Sequence, residues 1–152
     1  MNAWPGNAQK ERTSFGGLTR GQLMSRVRSK GNETTELRMA SLLRAAGLSG
    51  WRRHQNVPGR PDFAWPQAKV AVFVDGCFWH GHDCGKNLTP VKNAKEWRQK
   101  IRKNKARDRR AVRDLRRRGW IVIRFWECEL AKNRSACLSR IRNIVANRNE
   151  QT

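Results

Sequence analysis

Gly59-Arg60-Pro61-Asp62-Phe63-Ala64-Trp65, then Pro66-Gln67-Ala68, then Val70-Ala71-Val72-Phe73-Val74-Asp75-Gly76 is the stretch whose reading decides the fold. Asp62 to Trp65 reads as a strand, and Pro66-Gln67-Ala68 turns the chain. Val70 to Val74 is an unbroken apolar run, the pattern of a central strand covered on both faces. Gly76 ends it. Residues facing each other across such a hairpin share one index midpoint. For Asp62 and Asp75 it is 68.5, beside the turn, so the two carboxylates are expected side by side at one end of the sheet. Two close carboxylates repel unless a cation sits between them, and Mg²⁺ is held through one or two carboxylates together with phosphate oxygens. The plainer alternative makes Asp62 a turn residue after Pro61 and Asp75 a strand terminator. Spacing alone leaves both open.

Working outward, Trp51 to Asn56 reads as another strand, joined to the first by the turn Val57-Pro58-Gly59-Arg60-Pro61. Upstream, a short helix is expected over Arg20 to Val27. Asn32 then caps a second helix with Glu33 and Glu36 in its first turn, where the dipole favours acids. Met39, Leu42, Leu43 and Ala46 fall on one face of it, and Gly47 is a stop. Downstream, Asn93 to Arg118 reads as one long helix with Trp97, Ile101, Val112 and Leu115 on its buried side. Trp120 to Trp126 is a strand, and Leu138, Ile141, Ile144 and Val145 mark a final helix. The order α-β-β-β-α-β-α predicts an α/β fold, a mixed sheet flanked by helices. Residues 1–17 read as a flexible basic arm and residues 18–150 as a single domain.

Charge narrows the partner. The 152 residues carry 33 Lys+Arg against 12 Asp+Glu, a formal +21, where a small domain stays within about ±8. Residues 92–118 alone hold 14 Lys/Arg against three acids, a net +11. Such a helix calls for a polyanion, above all double-stranded DNA, because cations that displace phosphate counterions supply most non-specific affinity. No stretch approaches the ~18 apolar residues of a membrane span, so no membrane partner is expected. The opening residues MNAWPGNAQKERTS lack an apolar signal core, so a cytoplasmic location is expected.

Cys77, His82 and Cys84 offer three ligands within eight residues, and Cys128, just after a strand, offers a fourth. A Cys₃His set is a closed tetrahedral zinc site, hence structural. The bland alternative is buried thiols with a surface histidine. Cys137 reads as core, and His54 as structural. His80, a few residues past Asp75, is placed to act as a general acid or base.

Gly59-Arg60-Pro61-Asp62-Phe63, Val72-Phe73-Val74-Asp75-Gly76-Cys77-Phe78-Trp79-His80 and Trp126-Glu127-Cys128 together resemble the very-short-patch repair (Vsr) DNA mismatch endonucleases. Met24 to Lys30 leading to Glu36, and Trp97 with Lys103-Asn104 and Arg107-Asp108-Arg109-Arg110, resemble them too. The likeness keeps order and spacing from about residue 22 to 131. It implies a restriction-endonuclease-like (PD-(D/E)xK) core and Mg²⁺-dependent nicking 5′ to the mispaired T of a T·G mismatch. By position it implies Asp62 as principal Mg²⁺ ligand with the Val74 carbonyl, His80 as catalytic histidine and Glu36 as an acid near the active site. Cys77, His82, Cys84 and Cys128 become the zinc ligands, and Phe78, Trp79 and Trp97 the aromatics that wedge into the duplex. Arg60, Lys100, Lys103, Arg107 and Arg110 are then expected on the DNA backbone. The pattern departs at Asp75, where the best-known members carry a histidine; aspartate there is expected to bind metal directly. Gly81 and Asp83 replace a His-rich run, and the N-terminal arm shows no obvious match before residue 20. Other triggers, such as modified or invading DNA, stay open, as does a non-catalytic zinc-stabilised nucleic-acid-binding module. Nicking one strand suggests a monomer, nucleoid-associated, with mismatch-repair proteins as accessory partners.

Overall fold

The computed structural model describes residues 33–77, 82 and 93–152, all within the unit Glu33–Thr152. The arm at residues 1–17, the helix expected over residues 20–27, and Phe78, Trp79, His80 and Cys84 lie outside the described residues.

Four strands form one mixed sheet in the order β1-β2-β3-β4. They are β1 (Arg52–Arg53), β2 (Phe63–Trp65), β3 (Val70–Asp75) and β4 (Ile121–Trp126). β2 and β3 pair antiparallel, with Phe63 opposite Val72 and Trp65 opposite Val70. That register corrects the expected one. Lys69, at φ 50°, belongs to the connection, and its N–H donates to the Pro66 carbonyl at 3.3 Å. Asp62 therefore falls opposite Phe73, and Asp75 sits two residues further along. An even offset leaves side chains on the same face, so the two aspartates share a face as diagonal neighbours. β1 is shorter than the stretch Trp51 to Asn56 suggests, because His54 adopts φ 50° and leaves the extended region directly after Arg53.

β3 and β4 run parallel, which requires a crossover. It is made by α2 (Ala94–Arg117). Before the sheet, a π-helical turn over Glu33–Leu37 leads into α1 (Arg38–Ala45). That helix ends as expected, with Gly47 at φ 68°. The Gly47 N–H donates to the Arg44 carbonyl and the Leu48 N–H to that of Leu43, closing a Schellman motif. After β4 come α3 (Glu127–Lys132), which the periodicity does not announce, and α4 (Arg134–Glu150). Six residues are too few to display a helical stripe, and Leu130 is the single buried residue of α3.

The alternation along β3 and β4 divides two layers. Phe63, Val70, Val72, Val74, Ile123 and Phe125 meet Met39 and Leu43 of α1, Leu130 of α3, and Cys137 and Ile141 of α4 in one apolar cluster. The opposite face carries Asp62, Phe73, Asp75 and Arg124, and α2 lies against it. Only Leu115 of α2 is fully buried, so the helix leaves most of its Lys and Arg in solvent. Among the described residues, no helix is long and apolar enough to cross a membrane.

Candidate active site and metal cluster

The approach to Asp62 is shaped by backbone geometry. The Arg60 N–H donates to the Val57 carbonyl at 3.0 Å, with Pro58 and Gly59 as the central residues. Gly59, at φ 75°, supplies the left-handed position of a type II turn. A side chain has no room there: a Cβ on Gly59 would lie 2.7 Å from Ala111 Cβ and 3.2 Å from the Phe73 ring. Arg60 follows at φ 45°, an uncommon conformation for a non-glycine residue and one found often at functional sites.

Asp62 stands one residue before β2, where the ladder to β3 has not begun. Its Oδ2 accepts the Val74 N–H at 2.7 Å, taking the place of a strand carbonyl. Within a strand, the N–H and C=O of one residue point the same way, so the Val74 carbonyl is directed to the Asp62 side. Register puts Asp62, Phe73 and Arg124 in one row across β2, β3 and β4. Asp62, Asp75 and Asp108 line a cavity of about 380 Å³ together with Arg60, Arg107 and Arg124.

Arg124 bridges the acids. Its Nε is in ionic contact with Asp75 Oδ2, without the alignment of a hydrogen bond, and its Nη2 lies 3.0 Å from Asp108 Oδ2. The guanidinium also sits over the Trp126 ring, 5.3 Å from the centroid. Asp108 and Arg124 were missed as site residues, although each carries a signal. Asp108 interrupts the buried stripe of α2 between Ile101 and Val112, and Arg124 is the one charge in Trp120-Ile121-Val122-Ile123-Arg124-Phe125-Trp126.

Glu36 is 2 % exposed and is not among the residues lining this cavity. Its Oε1 accepts from Arg53 Nε at 3.0 Å and also contacts Arg53 Nη2 and His54 Nε2. Arg53 pairs with Phe63 in the sheet, so this cluster sits beside the end of β2 that leads to Asp62. His54, read from sequence as structural, is thus a partner of a candidate catalytic acid. On α2, Lys100, Lys103, Arg107 and Arg110 are exposed and Trp97 is half-buried.

The second centre forms where β3 and β4 end. Asp75 and Trp126 are the last pair of the ladder, and Cys77 and Cys128 each follow two residues beyond it, Cys128 in the first turn of α3. Ligand atoms of Cys77, His82 and Cys128 lie within 4.8 Å of one another. Cys128 Sγ is 3.5 Å from His82 Nδ1. Tetrahedral zinc, with Zn–S near 2.3 Å and Zn–N near 2.05 Å, would hold such atoms about 3.6 Å apart, so these three residues fit that ion. The His82 ring stacks on Trp126, centroids 4.2 Å apart and planes 5° from parallel, and the His82 backbone N–H donates to the Cys77 carbonyl at 3.0 Å. The first cavity differs in kind. Its donors are hard carboxylate oxygens with a nearby carbonyl, the set that suits Mg²⁺ rather than zinc. Cys137, the remaining described cysteine, is core as expected; burial pushes its thiol above the usual range, with a smaller contribution from Glu129.

Acidic side chains at one end of the inner strands, beside a strongly basic helix, are the arrangement that suits an enzyme working on nucleic acid. The family profile for the DNA mismatch endonuclease Vsr matches residues 14–86, which corrects the expected start near residue 22 by extending the likeness upstream of residue 20. A type II nicking enzyme of Xanthomonas oryzae pv. oryzae is 40% identical over 123 residues, 81% of this chain and 89% of that one. A type II nicking enzyme of Neisseria meningitidis serogroup C is 38% identical over 127 residues, 83% and 85% of the two chains. The DNA mismatch endonuclease Vsr of Escherichia coli is 42% identical over 95 residues, 62% and 61%. The chain belongs to the Vsr family, and with it to the DNA-nicking endonucleases, hydrolases of the phosphodiester bond.

Proposed function

We propose that this protein is a Mg²⁺-dependent endonuclease that nicks the T strand of duplex DNA at a T·G mismatch, the opening step of very short patch repair. The observation carrying the reading is Asp62, oriented by the Val74 N–H in a carboxylate-lined cavity beside a helix of high positive charge. Asp62, Asp75 and the Val74 carbonyl are the residues that would hold Mg²⁺. When bound, the ion polarises the phosphoryl oxygen and lowers the pKa of water.

The protein supplies the rest. Arg60, Lys100, Lys103, Arg107 and Arg110 hold the backbone phosphates. Phe78, Trp79 and Trp97 fill the space left when bases unstack. His80 takes the proton of the attacking water as the new oxygen–phosphorus bond forms, and Glu36 shapes the charge around the site. The bond from phosphorus to the 3′ oxygen breaks and that oxygen is protonated, leaving 5′-phosphate and 3′-hydroxyl ends. Zinc on Cys77, His82, Cys84 and Cys128 is structural. The enzyme acts as a cytoplasmic monomer on the nucleoid.

The test is a duplex with one T·G mismatch, labelled on both strands, beside its T·A control, with Mg²⁺ or EDTA and with Asp62→Ala as the blank. A Mg²⁺-dependent nick confined to the T strand, lost in Asp62→Ala with duplex affinity retained, is the expected result. Equal nicking of both duplexes would discard mismatch recognition and favour another trigger. Nicking by Asp62→Ala would discard the site.

A further inference from the structure

Arg124 is not required by anything said so far about metal or backbone binding, yet two carboxylates of the acidic cavity hold it. Its strand position, opposite Phe73 and in row with Asp62, fixes the face from which it projects. Asp75 and Asp108, whose side chains are only 9% and 14% exposed, hold its Nε and Nη2, and Trp126 supports the plane of the guanidinium. Nη1 makes no polar contact among the described residues, and the side chain keeps 30% exposure. Arg124 also lines a second, open cleft of about 540 Å³, with Arg109, Arg113, Arg116 and Arg117. One guanidinium thus stands in the wall between an acidic cavity and an arginine-lined one.

A phosphodiester entering the acidic cavity meets three aspartates, Asp62, Asp75 and Asp108. A flexible lysine or a surface arginine would have to be ordered at the moment of reaction. A guanidinium already clamped on two edges does not, and preorganised donors are the ones that stabilise developing negative charge. We propose that Arg124 is a catalytic residue, its Nη1 donating to a non-bridging oxygen of the scissile phosphate. The Asp75–Arg124–Asp108 bridge then acts as a fixed cation mount, and the adjoining arginine cleft receives the next phosphates of the same strand. No proton is transferred by Arg124; it stabilises charge while water displaces the 3′ oxygen. The inference rests on the phosphodiester chemistry proposed above.

The experiment compares full-length wild type with Arg124→Met, Arg124→Lys and Arg124→Ala. It measures single-turnover nicking of the labelled T·G duplex and duplex affinity across a series of salt concentrations. Loss of one oxyanion donor predicts a rate at least about 100-fold lower in Arg124→Met. The loss of one phosphate contact predicts a log–log salt slope shallower by about 0.9. Arg124→Lys, which keeps a charge between the two aspartates, should fall between and stands in if the Met variant does not fold. Methylguanidinium should restore part of the Arg124→Ala rate, which a purely structural defect would not allow. Arg124→Met or Arg124→Lys nicking at the wild-type rate, or an unchanged salt slope in both, would overturn the assignment. Should wild type leave the T·G duplex intact, the mismatch reading fails on its own. The salt slope needs no cleavage and still decides Arg124.

Discussion

Gly59→Ala tests whether the turn before Asp62 and helix α2 are fitted to each other. Two separate penalties can be read from the structure. Gly59 has φ 75°, and an alanine held in that region costs about 1–2 kcal/mol. The added Cβ would also stand 2.7 Å from Ala111 Cβ and 3.2 Å from the Phe73 ring. Neither neighbour is the loose end of a flexible side chain, so helix and strand must separate, and overpacking of this kind costs about 1–3 kcal/mol. The sum, about 2–5 kcal/mol, is large against a stability of about 5–15 kcal/mol. It predicts a fall in Tm of about 5–15 °C. A second substitution separates the parts. Ala111→Gly alone should cost about 1 kcal/mol in helix propensity, but combined with Gly59→Ala it removes the closer of the two collisions and leaves only the Phe73 contact. Thermal unfolding of the four proteins should therefore give a favourable coupling of at least about 1 kcal/mol. Ala111 is one helical turn from Asp108, so the single Gly59 variant should also nick more slowly, with recovery in the double variant. Additive losses within about 0.5 kcal/mol would refute the packing argument and leave only the backbone conformation.

Wild type should carry an equivalent of zinc that Cys128→Ser lacks, and the variant should have a lower Tm, read by a colorimetric zinc assay and thermal unfolding; a full equivalent of zinc in the variant would refute the ligand assignment. Glu36→Ala should destabilise by about 3 kcal/mol, because it removes the partner of Arg53 from a buried position. The salt slope of duplex binding should not change, and a shallower slope would place Glu36 at the DNA instead. For Cys137, burial raises the folded pKa above the unfolded value. The neutral thiol's contribution is therefore complete below pH about 8.5 and is lost as pH climbs through the raised value. Denaturant midpoints should decline between pH 8 and 10 in wild type and more gently in Cys137→Ala; identical declines would remove Cys137 as the cause.

Much of the architecture is legible in periodicity because each element has one buried face. Val70 to Val74 could only be an inner strand, and Gly47 could only end α1. The gathering of Cys77, His82 and Cys128 was legible for a different reason: parallel pairing of β3 and β4 follows from the long helix between them, and it brings Cys128 to Cys77. What escaped prediction depended on single backbone states. The hairpin register turned on Lys69 at φ 50°, and the length of β1 on His54 at φ 50°. Neither residue type announces a left-handed conformation. The partners of the candidate acids escaped too, since Arg53 and His54 meet Glu36 from across the fold. A sum of charges over α2 marks it as basic and hides the one acid, Asp108, that it turns inward.

The Cys77–His82–Cys128 cluster and the carboxylate-lined cavity are physically continuous. His82 stacks on Trp126, the Trp126 ring supports the Arg124 guanidinium, and Arg124 reaches Asp75 and Asp108. Trp126 also pairs in register with Asp75. A metal ion on the cluster would keep the His82 ring from rotating away from the indole it covers, and so would restrict Trp126 and, through it, Arg124. Loss of the ion should then affect the nicking rate beyond the fraction of protein unfolded. His82→Ala, which removes both ligand and stack, should be worse for catalysis than Cys128→Ser at matched folded fraction, since the serine variant keeps the imidazole over the indole. Equal losses would show that the ion acts through stability alone.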